Sequence, residues 1–167
     1  SGYAQHGQGH DALKCFEQMR SEGFVPDQVS FLCILSACSH SGLSFEAQMH
    51  FRNMMRKYGI VPNLEHHICM VMVFGCCGQF DKAIAVIQEA IMLSSDSSDL
   101  WLALLDACRK WGNVDIGKLA FDQVVKLDSC DASAYVLMAN IYAMIFFSIN
   151  LSHFSWCEND TTWFYSI

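Results

Sequence analysis

Proline occurs only twice in the 167 residues, each time in the same setting. GFVPD at residues 23–27 returns as GIVPN at residues 59–63, thirty-six positions later. Charge is scarce too: 16% of the residues are Asp, Glu, Lys or Arg, against 53% hydrophobic. Such a chain buries a core rather than staying disordered. No run of 18 uninterrupted apolar residues occurs, so there is no clear transmembrane helix. The N-terminus, Ser1-Gly2-Tyr3, brings no initiator Met, no basic region and no apolar signal core, and the chain reads as a fragment. The nine cysteines are odd in number, which disfavours a closed disulfide framework. Cys15, Cys33, Cys38, Cys69, Cys76, Cys77 and Cys108 fall inside apolar helical runs, where a free thiol serves as a small buried hydrophobe. That usage points to a reducing compartment.

What is present is a repeat. Gly7, Ala12, Phe16 and Met19 correspond to Gly42, Ala47, Phe51 and Met54, each 35 positions later. A one-residue insertion in the second copy accounts for the difference from the 36 of the proline segments. A period near 35 that joins helical patterning to Gly–Pro punctuation marks a helical repeat array. Residues 9–22 predict a helix with Ala12, Leu13, Phe16 and Met19 on one face. Gly23 stops it and Pro26 delays the next. Helices follow over 28–39, with Phe31, Ile34, Leu35 and Cys38 inward, and over 44–57, with Ala47, Phe51 and Met54 inward, joined by a turn at Ser39–Gly42. A degenerate third unit covers 64–76 and 79–93, and the polar Ser94–Asp99 supplies turn and cap. A fourth unit repeats the design, with Gly112 after Gly78 and Phe121 after Ile87, each 34 on. Residues 131–143 open a fifth helix with Ala134, Leu137, Met138 and Ile141. After 143 the register is lost, and residues 144–167 form an aromatic tail with no Lys or Arg, no cap and no punctuation. The fold class expected is all-α: an α-solenoid of stacked antiparallel helix pairs, whose first helices line a concave surface.

Charge is unevenly spread. Residues 1–63 hold five basic and five acidic residues, and residues 64–143 five basic and ten acidic. A nucleic-acid groove wants positive potential. The first half is neutral enough to tolerate RNA; the second suits a protein partner better.

The words of the repeat are specific. SGYAQHGQGHDALKCFEQMRSEGFVPD resembles the last three-quarters of a pentatricopeptide repeat. QVSFLCILSACSHSGLSFEAQMHFRNMMRKYGIVPN resembles the long variant of the plant PLS subfamily, and LEHHICMVMVFGCCGQFDKAIAVIQEAIM the short repeat that follows it. SDLWLALLDACRKWGNVDIGKLAFDQVVKLD resembles the E1 motif, itself similar to a tetratricopeptide repeat, and AYVLMANIYA the opening of the E2 motif. The resemblance covers residues 1–143 and divides the chain: repeats over 1–63, the first truncated and the second long; a short repeat over 64–97; a cap similar to the E motif over 98–143; and the unmatched tail 144–167.

The resemblance implies an adaptor that binds single-stranded organellar RNA, typically for C-to-U editing, in mitochondria or alternatively in chloroplasts. It implies contact with editing accessory factors or a deaminase-bearing protein, and none with membrane or DNA. A deaminase needs a zinc-binding His-x-Glu and a Cys-x-x-Cys pair. None of the seven His residues precedes Glu by two positions, and no Cys-x-x-Cys occurs. The chain is expected to be no enzyme and to use no cofactor. Two alternatives are a protein–protein scaffold of tetratricopeptide type, favoured by the acidic second half, and a non-functional truncated product, favoured by the tail.

By the same resemblance, base selection falls at the fifth residue of each first helix and at the last residue of the repeat. In this sequence those are Asp27 alone in the first repeat, Leu32 with Asn63 in the second, and Ile68 with Ser97 in the third. A carboxylate at 27 accepts hydrogen bonds and suits the ring N–H of uracil or guanine; as plain structure it caps the next helix. Leu32 and Ile68 carry no polar group. Trp101 and Trp111 are expected to pack rather than to stack on bases. His66, His67, Cys69, Cys76 and Cys77 lack the short Cys knuckles of structural zinc and are expected to hold no metal. Gly7–Ala12 mimics a dinucleotide fingerprint but follows no strand, and is expected to form an inter-helix turn. Two glycosylation sequons, at Asn150 and Asn159, are discounted for want of any sign of secretion.

Overall fold

The computed structural model describes the backbone of residues 2–93 and 97–159, with side-chain surroundings for residues 9–93 and 97–147. Expectations placed on Ser94–Asp96, on the sequon side chains and on the side chains of the aromatic tail past residue 147 lie outside the described residues. Eight α-helices follow one another: α1 (Gly2–Ser21), α2 (Gln28–Ser41), α3 (Ser44–Tyr58), α4 (Leu64–Cys76), α5 (Phe80–Leu93), α6 (Ser98–Trp111), α7 (Val114–Leu127) and α8 (Ala132–Asn159). No strand occurs among the described residues, and none of the helices there is long and apolar enough to cross a membrane.

The boundaries arise where the backbone changes hand. Gly42 and Gly59 close α2 and α3 in the left-handed region, at φ 68° and 64°, where a β-carbon would be strained. The N–H of Gly59 then donates to Met55 O and that of Ile60 to Met54 O, so two carbonyls of the last turns of α3 are satisfied. The starts are capped by polar side chains, with Asp27 before α2, Asn63 before α4, Ser97 before α6 and Asn113 before α7.

One boundary differs from expectation, and one helix runs further than the repeat register. The turn foreseen at Gly7–Ala12 does not form, because α1 runs unbroken from Gly2 to Ser21. Lengthening an existing helix through Gly7 needs no new nucleus. The helix that residues 131–143 open, α8, runs on past the loss of repeat register to Asn159. Residues 144–159 contain neither Gly nor Pro, so nothing interrupts the hydrogen-bonded ladder.

The helices form two layers. First helices pack in a row, α2 on α4, α4 on α6 and α6 on α8. Second helices α3, α5 and α7 pack on the first helices either side and make at most slight contact with one another. A layer whose members touch, backed by one whose members do not, curves toward the first. The first helices therefore line the concave face, as the repeat pattern implied. The core runs between the layers through Phe31, Ile34, Leu35, Met54, Ile87, Leu104 and Leu105. Burial of each such side chain stabilises by roughly 1.5–3 kcal/mol relative to exposure. Every residue expected to face inward is buried or half-buried in this core.

The row is tight. A β-carbon on Gly75 of α4 would lie 2.4 Å from the Ala107 Cβ of α6. Bonds between repeats recur at the far end of the first helices. Cys77 Sγ–H donates to Gly42 O (3.3 Å), Gln79 Nε2 to Ser44 Oγ (3.3 Å) and Trp111 Nε1 to Gly75 O (2.9 Å). The partners are 35, 35 and 36 residues apart, so the sequence period is also the bonding period.

The thiols are less uniform than their apolar surroundings suggested. Cys38 and Cys108 are fully buried, Cys69, Cys76 and Cys77 half-buried, and Cys15, Cys33 and Cys130 exposed; all are free. Cys15 and Cys33 line the open groove between α1 and α2, at the positions of the buried His50 and half-buried Cys69 one repeat later. Desolvation pushes the Cys38 and Cys69 thiols up to about 11 and Cys108 to about 12.

Two measurements check this arrangement. In Gly75→Ala the added methyl forces α4 from α6; the strain of about 1–3 kcal/mol outweighs a helix-propensity gain of up to about 1 kcal/mol. The urea midpoint should fall. Alkylation with a maleimide at neutral pH should label Cys15, Cys33 and Cys130 first. Cys38 and Cys108 should react only on unfolding, since the thiolate is the nucleophile.

Candidate nucleic-acid interface

The row of first helices also aligns their starts. Asp27, Asn63 and Ser97 are the N-caps of α2, α4 and α6, in extended backbone with ψ of −175°, −179° and 123°. Each stands immediately before its helix, so Leu32 and Ile68 are literally the fifth residues of α2 and α4. His66 pins two of these starts together. Its Nε2–H donates across the repeats to Gln28 O at 3.0 Å, which leaves Nδ1 to accept from the Asn63 N–H at 3.3 Å. Asn63 Oδ1 in turn accepts the His66 N–H at 3.1 Å, completing a capping box.

The caps are chemically unlike. Asp27 is exposed, and its Oδ1 accepts from both the hydroxyl and the N–H of Ser30, at 2.7 and 2.8 Å. These bonds, the hydroxyl first, hold its carboxyl below the usual range, so it is ionised at neutral pH. Oδ2 is left for another donor. Asn63 is exposed, with its amide oxygen engaged by the cap. Ser97 is half-buried; its Oγ accepts from Asp99 N–H and donates to Asp99 Oδ2, both at 3.3 Å, so the hydroxyl is engaged twice. Leu32 and Ile68 are half-buried, and Ile68 packs on the core. The structure thus brings all five residues to the starts of neighbouring helices, three as caps and two as apolar neighbours. The fifth residue of α6, Leu102, continues the row and is again apolar. His66 was visible in the sequence only as a metal candidate. The Asn-x-x-His spacing of the capping box was the signal available for its actual place.

Charge is segregated by layer rather than by half of the chain. Of the ten Lys and Arg residues, eight lie on second helices: Lys14 and Arg20 on α1, Arg52, Arg56 and Lys57 on α3, Lys82 on α5, and Lys118 and Lys126 on α7. The concave layer has two, both at the end of α6. Arg109 is paired with Asp106 at 2.9 Å, and Lys110 Nζ donates to Cys76 O at 3.3 Å. Glu65, Asp99 and Asp106 place carboxylates on the same layer. The near-neutral first half therefore does not give a groove with available Lys or Arg, because α2 has neither.

The remaining candidates sit as packing elements. Trp101 is buried in α6. Trp111 lies over Gly78, with ring atoms 3.4 Å from where a β-carbon would stand, and is held by its bond to Gly75 O, though its outer edge is exposed. Among the described residues no group of three His, Cys, Asp or Glu side chains is placed to hold a metal. His66 is engaged in the capping box. His67 donates from Nδ1 to Asn63 O at 2.9 Å and meets the Phe51 ring edge-on, and its Nε2 is buried without a partner.

Known proteins place this architecture. Residues 1–40 match the PPR repeat family, and residues 29–58 match the PPR repeat. The chain is 44% identical over 142 residues to pentatricopeptide repeat-containing protein At4g33170 of Arabidopsis thaliana, covering 85% of this chain and 14% of that protein. It is 41% identical over 143 residues to the Arabidopsis pentatricopeptide repeat-containing protein At5g40410, mitochondrial, covering 86% of this chain and 23% of that protein. The chain thus spans between a seventh and a quarter of the length of these relatives. Its fold matches the crystal structure of the pentatricopeptide repeat protein PPR10 from maize, with a TM-score of 0.68 at 21% identity over 80% of this chain and 19% of that one. Repeat register, two-layered helix pairs and these similarities agree: the chain belongs to the pentatricopeptide repeat family.

Proposed function

We propose that the chain is the RNA-contacting part of an adaptor that selects single-stranded organellar RNA. The observation that carries this is the row of N-caps: three polar side chains at equivalent places on stacked helices, at intervals of 36 and 34 residues. A strand laid across the concave layer would meet one cap per repeat, the geometry of one base per helical unit. Asp27 is the strongest reader, through Oδ2 toward a base N–H. Asn63 is weaker beside Leu32, and Ser97 weakest, because its hydroxyl is already engaged. With no unengaged cation among the described residues of the concave layer, phosphate contributes little, so binding depends on base edges and has a shallow salt dependence. The finer role is C-to-U editing, with the deamination supplied by a separate deaminase-bearing protein recruited through α6–α8. Mitochondria are the proposed compartment, after the names of two relatives. The divisions at residues 63, 97 and 143 are proposed as the boundaries between reader repeats and cap.

A second reading is favoured by the same charge pattern. Carboxylates at Glu65, Asp99 and Asp106 on an apolar layer suit a cationic peptide, which makes the array a protein scaffold of tetratricopeptide type.

Fluorescence anisotropy with single-stranded RNA oligonucleotides tests the first reading. Asp27→Asn keeps an equally good N-cap, so stability should change little while the preference among bases shifts. Asp27→Ala should lose both the preference and about 1 kcal/mol of stability. Unchanged base preference in Asp27→Asn, or no binding beyond an equally acidic helical control, defeats the RNA reading.

A further inference from the structure

One side chain ties the start of α2 to the start of α4, and the same position cannot tie α4 to α6. His66, the third residue of α4, is 1% exposed and reaches both ways. It meets Gln28 O, next to the cap Asp27, at 3.0 Å, and the N–H of the cap Asn63 at 3.3 Å. A carbonyl only accepts, so Nε2 carries the proton and Nδ1 is the acceptor for Asn63. A single imidazole thus bridges the backbone of two successive helix starts. The third residue of α2 is Ser30, which turns to its own cap, with hydroxyl and N–H both on Asp27 Oδ1. The third residue of α6 is Leu100, which is buried. Its side chain has no polar atom, so it cannot make to Leu64 O the bond that His66 makes to Gln28 O.

We infer that His66 is a positioning residue for base selection, and that it makes Asp27 and Asn63 a coupled pair of readers; this role rests on the RNA reading of the caps. His66 is buried and acts through the two caps rather than on the strand. Neighbouring nucleotides are joined at a limited spacing, so two caps select adjacent bases best when their own spacing is held in advance. His67 helps to hold Asn63, its Nδ1–H donating to Asn63 O at 2.9 Å, but of the two histidines it is His66 that bonds to α2. With the spacing held, a wrong base at one cap displaces the strand at the other. The preference at each position then depends on the base at the next. Without the tie each cap adjusts alone, and the two preferences simply multiply. The coupling belongs to Asp27 with Asn63 and stops there, because Leu100 provides no such tie from Asn63 to Ser97.

The test takes the 167-residue chain and a pool of short single-stranded RNA oligonucleotides randomised at every position, and sequences the bound fraction. Asp27→Asn and Asn63→Asp keep good N-caps, and the preference each shifts identifies the position that cap reads. In wild type, particular base combinations at those two positions should be enriched at least about threefold beyond the product of the single-base enrichments. The positions read by Asn63 and Ser97 should show no such excess. His66→Asn keeps an acceptor near the place of Nδ1 but falls short of Gln28 O; the excess should vanish while helicity by circular dichroism holds. His66→Gln keeps an N–H at the reach of Nε2 and should retain the excess. His50→Phe alters another buried histidine, packed on Phe16 and bonded to neither cap, and should retain it too. If Asp27→Asn shifts no preference, the RNA reading falls and this role with it. If Asp27→Asn shifts one but Asn63→Asp does not, the positioning role alone is overturned. It is likewise overturned, with the RNA reading intact, by no excess in wild type or an equal excess at the Asn63 and Ser97 positions. An excess that survives His66→Asn, or is lost as fully in His66→Gln or His50→Phe, also overturns it. Should His66→Asn not fold, the comparison of the two junctions within wild type decides.

Discussion

The close stacking of successive first helices is the constraint on which the rest of the molecule depends. At Gly75 and Ala107 the helices approach so nearly that a methyl group would not fit. Further along, bonds from the α4–α5 turn and from the end of α6 reach back about 35 residues to the previous repeat. These contacts fix both the spacing and the rotation of each helix pair on the last. A pair alone would leave its apolar face in water; in the stack that face becomes the shared core through Phe31, Leu35, Leu104 and Leu105.

Curvature and charge follow from the same stacking. Second helices fill the gaps between first helices without meeting closely, so they fan outward and carry the solvent side of the array. Eight of the ten cations lie there. The concave layer is left apolar and mildly acidic, with its polar chemistry concentrated at the helix starts. A face of this kind discriminates by shape and hydrogen bonds more than by attraction to phosphate. This is why the caps, and above all the ionised Asp27, carry the functional reading.

Much of the fold was legible in the sequence because its punctuation is local. Gly23, Gly42, Gly59, Gly78 and Gly112 all adopt positive φ, and each falls where the patterning ends. Pro26 and Pro62 lie between helices, as their fixed φ requires. Less legible were the places where a local signal was outweighed. Gly7 sits at the repeat position of Gly42 yet is helical, as part of the unbroken α1. The loss of repeat register after residue 143 was visible, but not that the helix persists, since hydrophobic period and helix continuity are separate properties.

The candidate site divides along the same line. The sequence by itself determined the helix limits, the repeat register and hence which residues stand at helix starts, because these depend on backbone conformations set by a few neighbouring residues. Only the tertiary structure decided what those residues do. It turned His66 into the link between α2 and α4, fastened Trp111 to Gly75 and brought the caps Asp27, Asn63 and Ser97 into one row. Those outcomes depend on the rotation of each helix against the next, which is fixed by packing between residues some 35 positions apart, and no short stretch of sequence contains both sides of such a contact.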